Sequence, residues 1–282
     1  MKFAICNETF QNRGWAETCA AVAELGYEGI EVAPFTLAAD VRDISPQMRR
    51  GYAETARHEG LEVIGLHWLL VSPKGLSVTD ADASIREITS QYLEALVTFC
   101  ADLGGKILVL GSPAQRRLPS DVPSKDAQQT ALDRLRFCLD RALEAAYKNG
   151  ITLCLEPLPA PEADFVLTLQ TAVDIMARLH HPALRTIFDV KSASSEDQAL
   201  PDLIRAFAPH IAHVHANDAN RRGPGFGPTD YVPIMAALQE IAYKGYVSVE
   251  VFDYTPDAIT IARDSLAYMK LCARSEEARH GA

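Results

Sequence analysis

Four side chains that can bind a metal follow four successive apolar segments of the chain. Each segment is a short run of branched or apolar residues, which is typical of a buried strand. The side chains that end these segments are two glutamates, an aspartate and a histidine: Glu156, Asp189, His215 and Glu250. They are about 33, 26 and 35 residues apart, near the roughly 30 residues of one strand–helix unit in an eight-unit barrel. Because the carboxyl ends of parallel strands meet at one edge of a sheet, we expect the four to converge.

The residue types in this set favour a hard divalent cation. Three carboxylates and one imidazole suit Mn²⁺, Mg²⁺ or Co²⁺, with Mn²⁺ favoured, whereas a structural zinc site prefers thiolates. Each acid could instead cap a helix or pair with an arginine. Burying so many acids together without a cation would be costly. We therefore expect one divalent metal ion rather than four unrelated ion pairs.

The elements that must position these residues alternate between strands and helices. Eight apolar segments, from Phe3–Cys6 to Tyr246–Val249, alternate with eight helical segments, from Trp15–Leu25 to Pro256–Leu271. This pattern predicts a parallel sheet, and eight units at this length predict an α/β fold, a (β/α)8 TIM barrel. We expect a single domain over residues 1–282, with a flexible tail over about 273–282. An open doubly wound sheet would need a glycine-rich phosphate loop after the first strand, and residues 6–15 do not supply one.

The composition disfavours some classes of partner and indicates a compartment. The chain has 37 acidic and 27 basic residues and a formal net charge of −10, which opposes nucleic-acid binding. It has no run of about 18 apolar residues and no cationic leader, so we expect no membrane span. Its six cysteines are dispersed and form no paired motif, which favours reduced thiols in a cytoplasmic protein.

The motifs around the four metal-binding candidates resemble a known family. The motifs are Glu156-Pro157-Leu158 with Glu162, Ile187-Phe188-Asp189, His215-Ala216-Asn217-Asp218 and Val249-Glu250. They resemble the xylose-isomerase-like TIM barrels, and within these the ketose 3-epimerases related to D-tagatose and D-psicose 3-epimerase. The resemblance extends over nearly the whole chain.

The resemblance implies an enzyme, a metal-dependent sugar isomerase of carbohydrate metabolism. In the family, the residues at the four positions above bind one divalent metal ion. The resemblance further implies that Glu156 and Glu250 lie on opposite faces of C3 of a ketose and exchange its proton through a cis-enediolate. Such an inversion is chemically reasonable, because one carboxylate can remove the proton and the other can return it. Relatives are often dimers or tetramers, so the resemblance also implies a homo-oligomer.

Further residues are expected to contact the sugar. By the resemblance, Glu162 and Arg221 hold substrate hydroxyl groups. His67 follows the third predicted strand at the same edge of the barrel, and Glu31 lies near the end of the second. Both are expected to contact the substrate, with a packed or supporting role as the alternative. Trp68 is expected to form an apolar wall for the sugar, with core packing as the alternative.

Three other polar residues are expected to lie outside the site. His213 is expected to point to the opposite side of its strand from His215 and to pack against a helix. Arg116 and Arg117 could bind a phosphate, but two adjacent arginines on a loop are more often solvated, and we favour the solvated alternative.

One departure from the family pattern leaves the reaction open. The epimerases have a substrate-contacting histidine three residues after the metal-binding aspartate, where this chain has Ser192. The alternatives are an aldose/ketose or hydroxypyruvate-type isomerase, a 3-keto-sugar lyase or hydrolase, and a non-catalytic sugar-binding barrel. The endonuclease-IV-like barrels are disfavoured, because they need an Asp-x-His motif and this chain has Asp230-Tyr231-Val232.

Overall fold

The computed structural model describes residues 1–280 as eight parallel strands that alternate with helices. The strands close into a barrel in sequence order, from β1 to β8. They are β1 (Lys2–Cys6), β2 (Gly29–Val32), β3 (Glu62–Leu66), β4 (Ile107–Leu110), β5 (Thr152–Leu155), β6 (Leu184–Asp189), β7 (Ile211–Ala216) and β8 (Tyr246–Val249). The predicted (β/α)8 TIM barrel is therefore confirmed.

Nine α-helices lie between and after the strands within the described residues. They are α1 (Trp15–Glu24), α2 (Pro46–His58), α3 (Ala83–Leu103), α4 (Ser124–Asn149), α5 (Leu169–Leu179), α6 (Val190–Ala193), α7 (Leu200–Phe207), α8 (Val232–Glu240) and α9 (Ala258–His280). Thr168 caps the start of α5, since its Oγ1 accepts a hydrogen bond from the Thr171 N–H (3.1 Å). The long helices α3 and α4 end at Gly104 and Gly150, both in the left-handed conformation that glycine adopts readily.

The chain divides into two compact units. Unit 1 comprises residues 1–31, 54–64 and the chain from Ile187 onward, and unit 2 comprises residues 32–53 and 65–186. In unit 1, β8 pairs on one side with β1 and on the other with β7, where His215 lies opposite Ser248. In unit 2, β4 pairs with β3 and with β5, and helices α3 and α4 pack against each other. Both units have apolar interiors.

The structure differs from the sequence predictions at several element ends. Strand β7 continues to Ala216, so His215 lies within the strand rather than just after it. Helix α6 was not predicted, and it starts because the Asp189 side chain caps it by accepting from the Ser192 N–H. Helix α9 continues to His280, and the last two residues of the predicted tail, 281–282, lie outside the described residues. The single domain over residues 1–282 stays a prediction.

Within residues 1–280, no helix has both the length and the apolar character that crossing a membrane requires.

Candidate active site

Three of the predicted metal ligands lie together in unit 1. Asp189 ends β6, His215 is near the end of β7 and Glu250 directly follows β8. The Nδ1 atom of His215 is 3.1 Å from Oε2 of Glu250 and 4.0 Å from Oδ2 of Asp189. The ligand atoms of the three residues all lie within 4.8 Å of one another, and all three side chains are buried. The consecutive strand ends therefore bring these groups together, as their spacing predicted.

The carboxylate of Asp189 is held in one orientation by two hydrogen bonds. Asn217 Nδ2 donates to Oδ2 (2.6 Å), and the Ser192 N–H donates to Oδ1 (2.6 Å). Asn217 is itself fixed, because its Oδ1 accepts from the Lys191 N–H (2.7 Å). The sequence reasoning assigned no role to Asn217. The signal that could have identified Asn217 was its position two residues after His215, because side chains two positions apart along a strand point to the same face.

Glu31 contacts the Nε2 atom of His215, which fits the supporting role named above as the alternative to substrate contact. Its carboxylate is fully buried between two imidazoles: Nε2 of His213 is 2.9 Å from Oε2, and Nε2 of His215 is 3.2 Å from both oxygens. The Sγ of Cys6 also donates to Oε2 (3.7 Å), consistent with the pairing of Cys6 with Glu31 between β1 and β2. A carboxylate that accepts from Nε2–H of a histidine leaves Nδ1 as the ligand atom and fixes the ring orientation.

The expected position of His213 was wrong. His213 is buried beside His215, with ring centroids 5.1 Å apart, and it contacts Glu31 rather than a helix. The physical reason is the period of a strand: residues two positions apart point to the same face, and only adjacent residues point to opposite faces. His213 therefore belongs to the network that supports His215.

The electrostatics of this group are consistent with a bound cation. Burial and the negative charge of Glu250 raise the pKa of Asp189. Burial lowers the pKa of His215, but the charges of Glu250 and Glu31 outweigh burial and raise it well above its usual value. Burial likewise raises the pKa of Glu31, yet His213 and His215 hold it well below its usual range. One divalent ion bound among Asp189, Glu250 and Nδ1 of His215 would offset the charge of the two carboxylates and take the place of the proton on the imidazole.

Glu156, the fourth predicted ligand, belongs to unit 2. It directly follows β5, and its N–H donates to the Leu110 carbonyl oxygen (3.2 Å), which continues the pairing of β5 with β4. The side chain is buried, and its Oε2 lies against Gly111, the first residue after β4. A Cβ atom at Gly111 would collide with Oε2. Glycine at this position therefore makes room for the Glu156 carboxylate.

The other residues expected to contact the sugar have different environments. His67 is buried after β3, and its N–H donates to the Val32 carbonyl oxygen (3.0 Å). Trp68 is 37% exposed and pairs with the ring of Phe35, with centroids 6.0 Å apart. Glu162 and Arg221 are both exposed. Their contacts with a substrate stay predictions.

The two adjacent arginines differ from each other. Arg117 is exposed, as expected, and its Nη2 donates to the Glu162 carbonyl oxygen (2.7 Å). Arg116 is only 1% exposed, so the expectation that it is solvated was wrong. The pattern of two charged residues in a polar loop could not reveal this, because the burial results from how the loop folds onto unit 2.

Comparison with known proteins places the chain in a family. A family model for the xylose isomerase-like TIM barrel matches residues 19–272. The chain belongs to the xylose isomerase-like TIM barrel family. It is 25% identical to a probable ketose 3-epimerase from Synechocystis sp. over 232 residues, which cover 81% of this chain and 75% of that protein. It is 24% identical to a 3-dehydro-D-guloside 4-epimerase from Escherichia coli over 278 residues, covering 96% of this chain and 100% of that protein.

A solved structure supports the same fold. The crystal structure of a D-psicose 3-epimerase in the presence of D-fructose matches with a TM-score of 0.84 and 21% identity. The match covers 97% of this chain and 99% of that chain.

Within this xylose isomerase-like barrel, Ser192 takes the position where the epimerase resemblance leads one to expect a histidine. Ser192 is buried in α6, and its N–H is committed to Asp189. Its Oγ has no hydrogen-bond partner among the described residues. A short hydroxyl therefore stands beside Asp189, the candidate metal ligand, where the resemblance leads one to expect an imidazole, and it can donate to or accept from a bound molecule.

Proposed function

We propose that this chain is a divalent-metal-dependent sugar epimerase or isomerase, and that its favoured reaction is 3-epimerisation of a ketose. The observation that carries the proposal is the buried group of Asp189, His215 and Glu250, in which an imidazole Nδ1 faces two carboxylates. The names of the relatives, a probable ketose 3-epimerase and a sugar 4-epimerase, support the same class of chemistry.

One divalent metal ion, with Mn²⁺ favoured over Mg²⁺ and Co²⁺, is the proposed cofactor. Its proposed ligands are Glu156, Asp189, His215 and Glu250, four buried residues that each offer one ligand atom. A set with three carboxylates and one imidazole suits these ions. When bound, the ion supplies positive charge that stabilises the negative charge developing on the sugar oxygens.

The proposed acid and base are Glu156 and Glu250. The C3 proton of a ketose is next to the C2 carbonyl, so its removal by one carboxylate gives an enediolate. Return of a proton by the other carboxylate, from the opposite face, inverts C3. Burial of both glutamates limits exchange with bulk water during this transfer. Four residues are proposed to position the sugar: His67, Trp68, Glu162 and Arg221.

A second candidate is 4-epimerisation of a 3-keto sugar. It is favoured by the Escherichia coli relative, a 3-dehydro-D-guloside 4-epimerase that this chain matches over its full length. The buried Ser192 stands where the ketose 3-epimerases have a histidine, so this position does not favour a ketose over a 3-keto sugar. The chemistry is the same, because C4 is also next to a carbonyl when that carbonyl is at C3.

The test is to incubate the Mn²⁺-loaded protein in D₂O with a panel of ketoses and 3-keto sugars, and to record proton NMR spectra of the sugars after Mn²⁺ is removed by chelation. Deuterium entering at C3 supports ketose 3-epimerisation, and deuterium at C4 of a 3-keto sugar supports the second candidate. Exchange at C1 would support an aldose/ketose isomerase instead. The absence of exchange with every sugar, given bound metal, would refute the proposal.

Matched variants separate an enzyme from a sugar-binding protein. We expect Glu250→Gln to lose at least about a hundredfold in turnover while it retains sugar affinity. Glu240→Gln is the control, because Glu240 is an exposed glutamate paired with Arg205 on the same chain (2.6 Å). Unchanged exchange in Glu250→Gln would remove this residue from the proposed acid/base pair.

We further propose a cytoplasmic homo-oligomer, a dimer or tetramer. The compartment is supported by the cysteines, since all six are buried and free. Light scattering of the protein as it elutes from a size-exclusion column tests the oligomeric state, and the mass of a monomer would contradict the proposal.

A further inference from the structure

Arg116 is a buried cation in the loop that follows β4. Its side chain is among the largest of those that are fully buried in the described residues, at 1% exposure. None of the three guanidinium nitrogens Nε, Nη1 and Nη2 has a hydrogen-bond partner within residues 1–280. Buried charges in proteins are normally paired, because removal from water is costly. A guanidinium with its donors unused therefore indicates a group that is supplied from outside the chain.

The loop is held in place on both sides of Arg116. The Gln115 carbonyl oxygen accepts from the Val78 N–H (2.8 Å), and the Leu118 N–H donates to Oδ1 of Asp164 (3.0 Å). The position of Arg116 is thus fixed by hydrogen bonds of its neighbours within unit 2. A fixed guanidinium is already oriented for a ligand, which reduces the ordering cost of binding.

The acids near Arg116 are engaged elsewhere. Burial lowers the pKa of Arg116 to about 10 although Glu156 raises it, so the side chain stays charged at neutral pH. Asp164 accepts from the Leu118 N–H and lies 3.9 Å from Arg117. Glu156 is the proposed metal ligand and base. The charge of Glu156 acts on Arg116, but neither carboxylate is a hydrogen-bond partner of the guanidinium among the described residues, so its N–H groups can bind an anion.

We propose that Arg116 binds an oxyanion, a phosphate or a carboxylate, carried by the sugar away from its reacting carbons. The inference rests on the proposed function, because the anion belongs to the same substrate. The planar guanidinium presents its N–H groups as a fork that fits two oxygens of such a group. Arg116 and Glu156 follow the neighbouring strands β4 and β5 at their carboxyl ends, so the proposed anion site lies beside one of the proposed metal ligands.

Calorimetric titration of the Mg²⁺-loaded protein with inorganic phosphate, and separately with acetate, tests the site. We expect the wild type to bind one of the two, and the one that binds distinguishes a sugar phosphate from a sugar acid. Arg116→Met should weaken that binding about 10- to 100-fold, and Arg116→Lys, which keeps the charge without the fork, should bind with intermediate affinity. Arg117→Met is the matched control and should bind as the wild type does. Circular dichroism verifies that each variant is folded.

Two results of the titration would overturn the inference: no binding of either anion by the wild type, or equal binding by wild type and Arg116→Met. Equal binding would place the anion on the metal or elsewhere.

A second measurement compares a neutral ketohexose with the same sugar phosphorylated or oxidised at its terminal carbon. Arg116→Met should raise KM at least about tenfold for the anionic sugar and leave the neutral sugar unaffected. A fall in kcat for the neutral sugar at constant KM would instead make Arg116 a positioning residue for Glu156 and would overturn the inference. Anion binding at Arg116 without turnover of any sugar would contradict the proposed function alone. Turnover of neutral ketoses without anion binding would contradict this inference alone.

Discussion

Replacement of Glu31 by glutamine tests whether the buried carboxylate behind His215 controls the metal site. Glu31 accepts hydrogen bonds from Nε2 of His213 (2.9 Å) and Nε2 of His215 (3.2 Å) and has no exposure to solvent. Glutamine has nearly the same shape, so the change removes the negative charge and leaves the packing of the barrel interior in place. Without that charge, the His215 ring is less basic at Nδ1 and its tautomer is no longer fixed.

The expected loss of metal affinity follows from the position of Glu31, which contacts Nε2 of His215, while the proposed metal-binding atom is Nδ1 of the same ring. Removal of a carboxylate that supports a metal-binding histidine typically weakens the metal about 10- to 100-fold. That loss corresponds to about 1.4–2.8 kcal/mol of binding free energy. We expect a loss within this range, because both oxygens of Glu31 lie 3.2 Å from the His215 Nε2.

The assay is competition for Mn²⁺ between the metal-depleted protein and a chelating indicator. Glu62→Gln is the control, because Glu62 is an exposed glutamate on the same barrel that pairs with Lys2 (2.6 Å). Thermal unfolding without metal separates a change in affinity from a change in stability. A dissociation constant for Mn²⁺ within about twofold of the wild type would refute the role given to Glu31, since even the lower limit is tenfold.

Three further predictions concern the same group of residues. The pKa of His215 is raised in the fold, so its protonated form stabilises the metal-free protein fully below about pH 6.5, the unfolded value, and the stabilisation is lost as pH rises through the folded pKa. The Tm of metal-free protein should therefore fall as pH rises above about 6.5, Mn²⁺ binding should release protons, and a Tm independent of pH would contradict this. Asn217→Ala removes the 2.6 Å hydrogen bond to Asp189, so it should weaken Mn²⁺ about tenfold in the indicator assay, and unchanged affinity would show that Asp189 is oriented without it. Gly111→Ala places a methyl group against Oε2 of Glu156, so deuterium exchange into the sugar should fall at least about tenfold in a folded protein, and wild-type exchange would mean that the carboxylate has room to move.

The fold was accessible from the sequence because the pattern repeats. Apolar runs separated by helical periodicity recur at the spacing of one strand–helix unit, and β8 has the predicted ends, Tyr246–Val249. That Asp189, His215 and Glu250 lie close together was predictable for the same reason, because each of these polar residues comes at or near the end of an apolar run. Both the repeat of apolar runs and the polar residues at their ends can be seen in short segments of the sequence.

The rest of the site depends on contacts between distant segments. Glu31 lies 182 residues before His213 in the chain, and only the closure of the strands brings their side chains together. The loop that contains Arg116 is held by hydrogen bonds from the Val78 N–H to Gln115 and from the Leu118 N–H to Asp164. Val78 and Asp164 are distant in the chain, so the residues next to Arg116 do not predict its burial. The position of His213 was predictable in principle, since the period of a strand places it on the same face as His215.

The residues proposed to carry out the reaction lie at strand ends, whereas the residue proposed to select the substrate lies on a loop. The proposed metal ligands lie at the ends of β5 to β8, where neighbouring strands fix the backbone, whereas Arg116 lies on a loop tied to the barrel by a few hydrogen bonds. Loops of such barrels tolerate replacement far better than strands do. Evolution, or a designer, can therefore exchange residues 112–117 to change which sugar is accepted and leave the chemistry intact. Such a graft should keep the hydrogen bond from the Val78 N–H to the Gln115 carbonyl oxygen, because it holds the loop against the barrel.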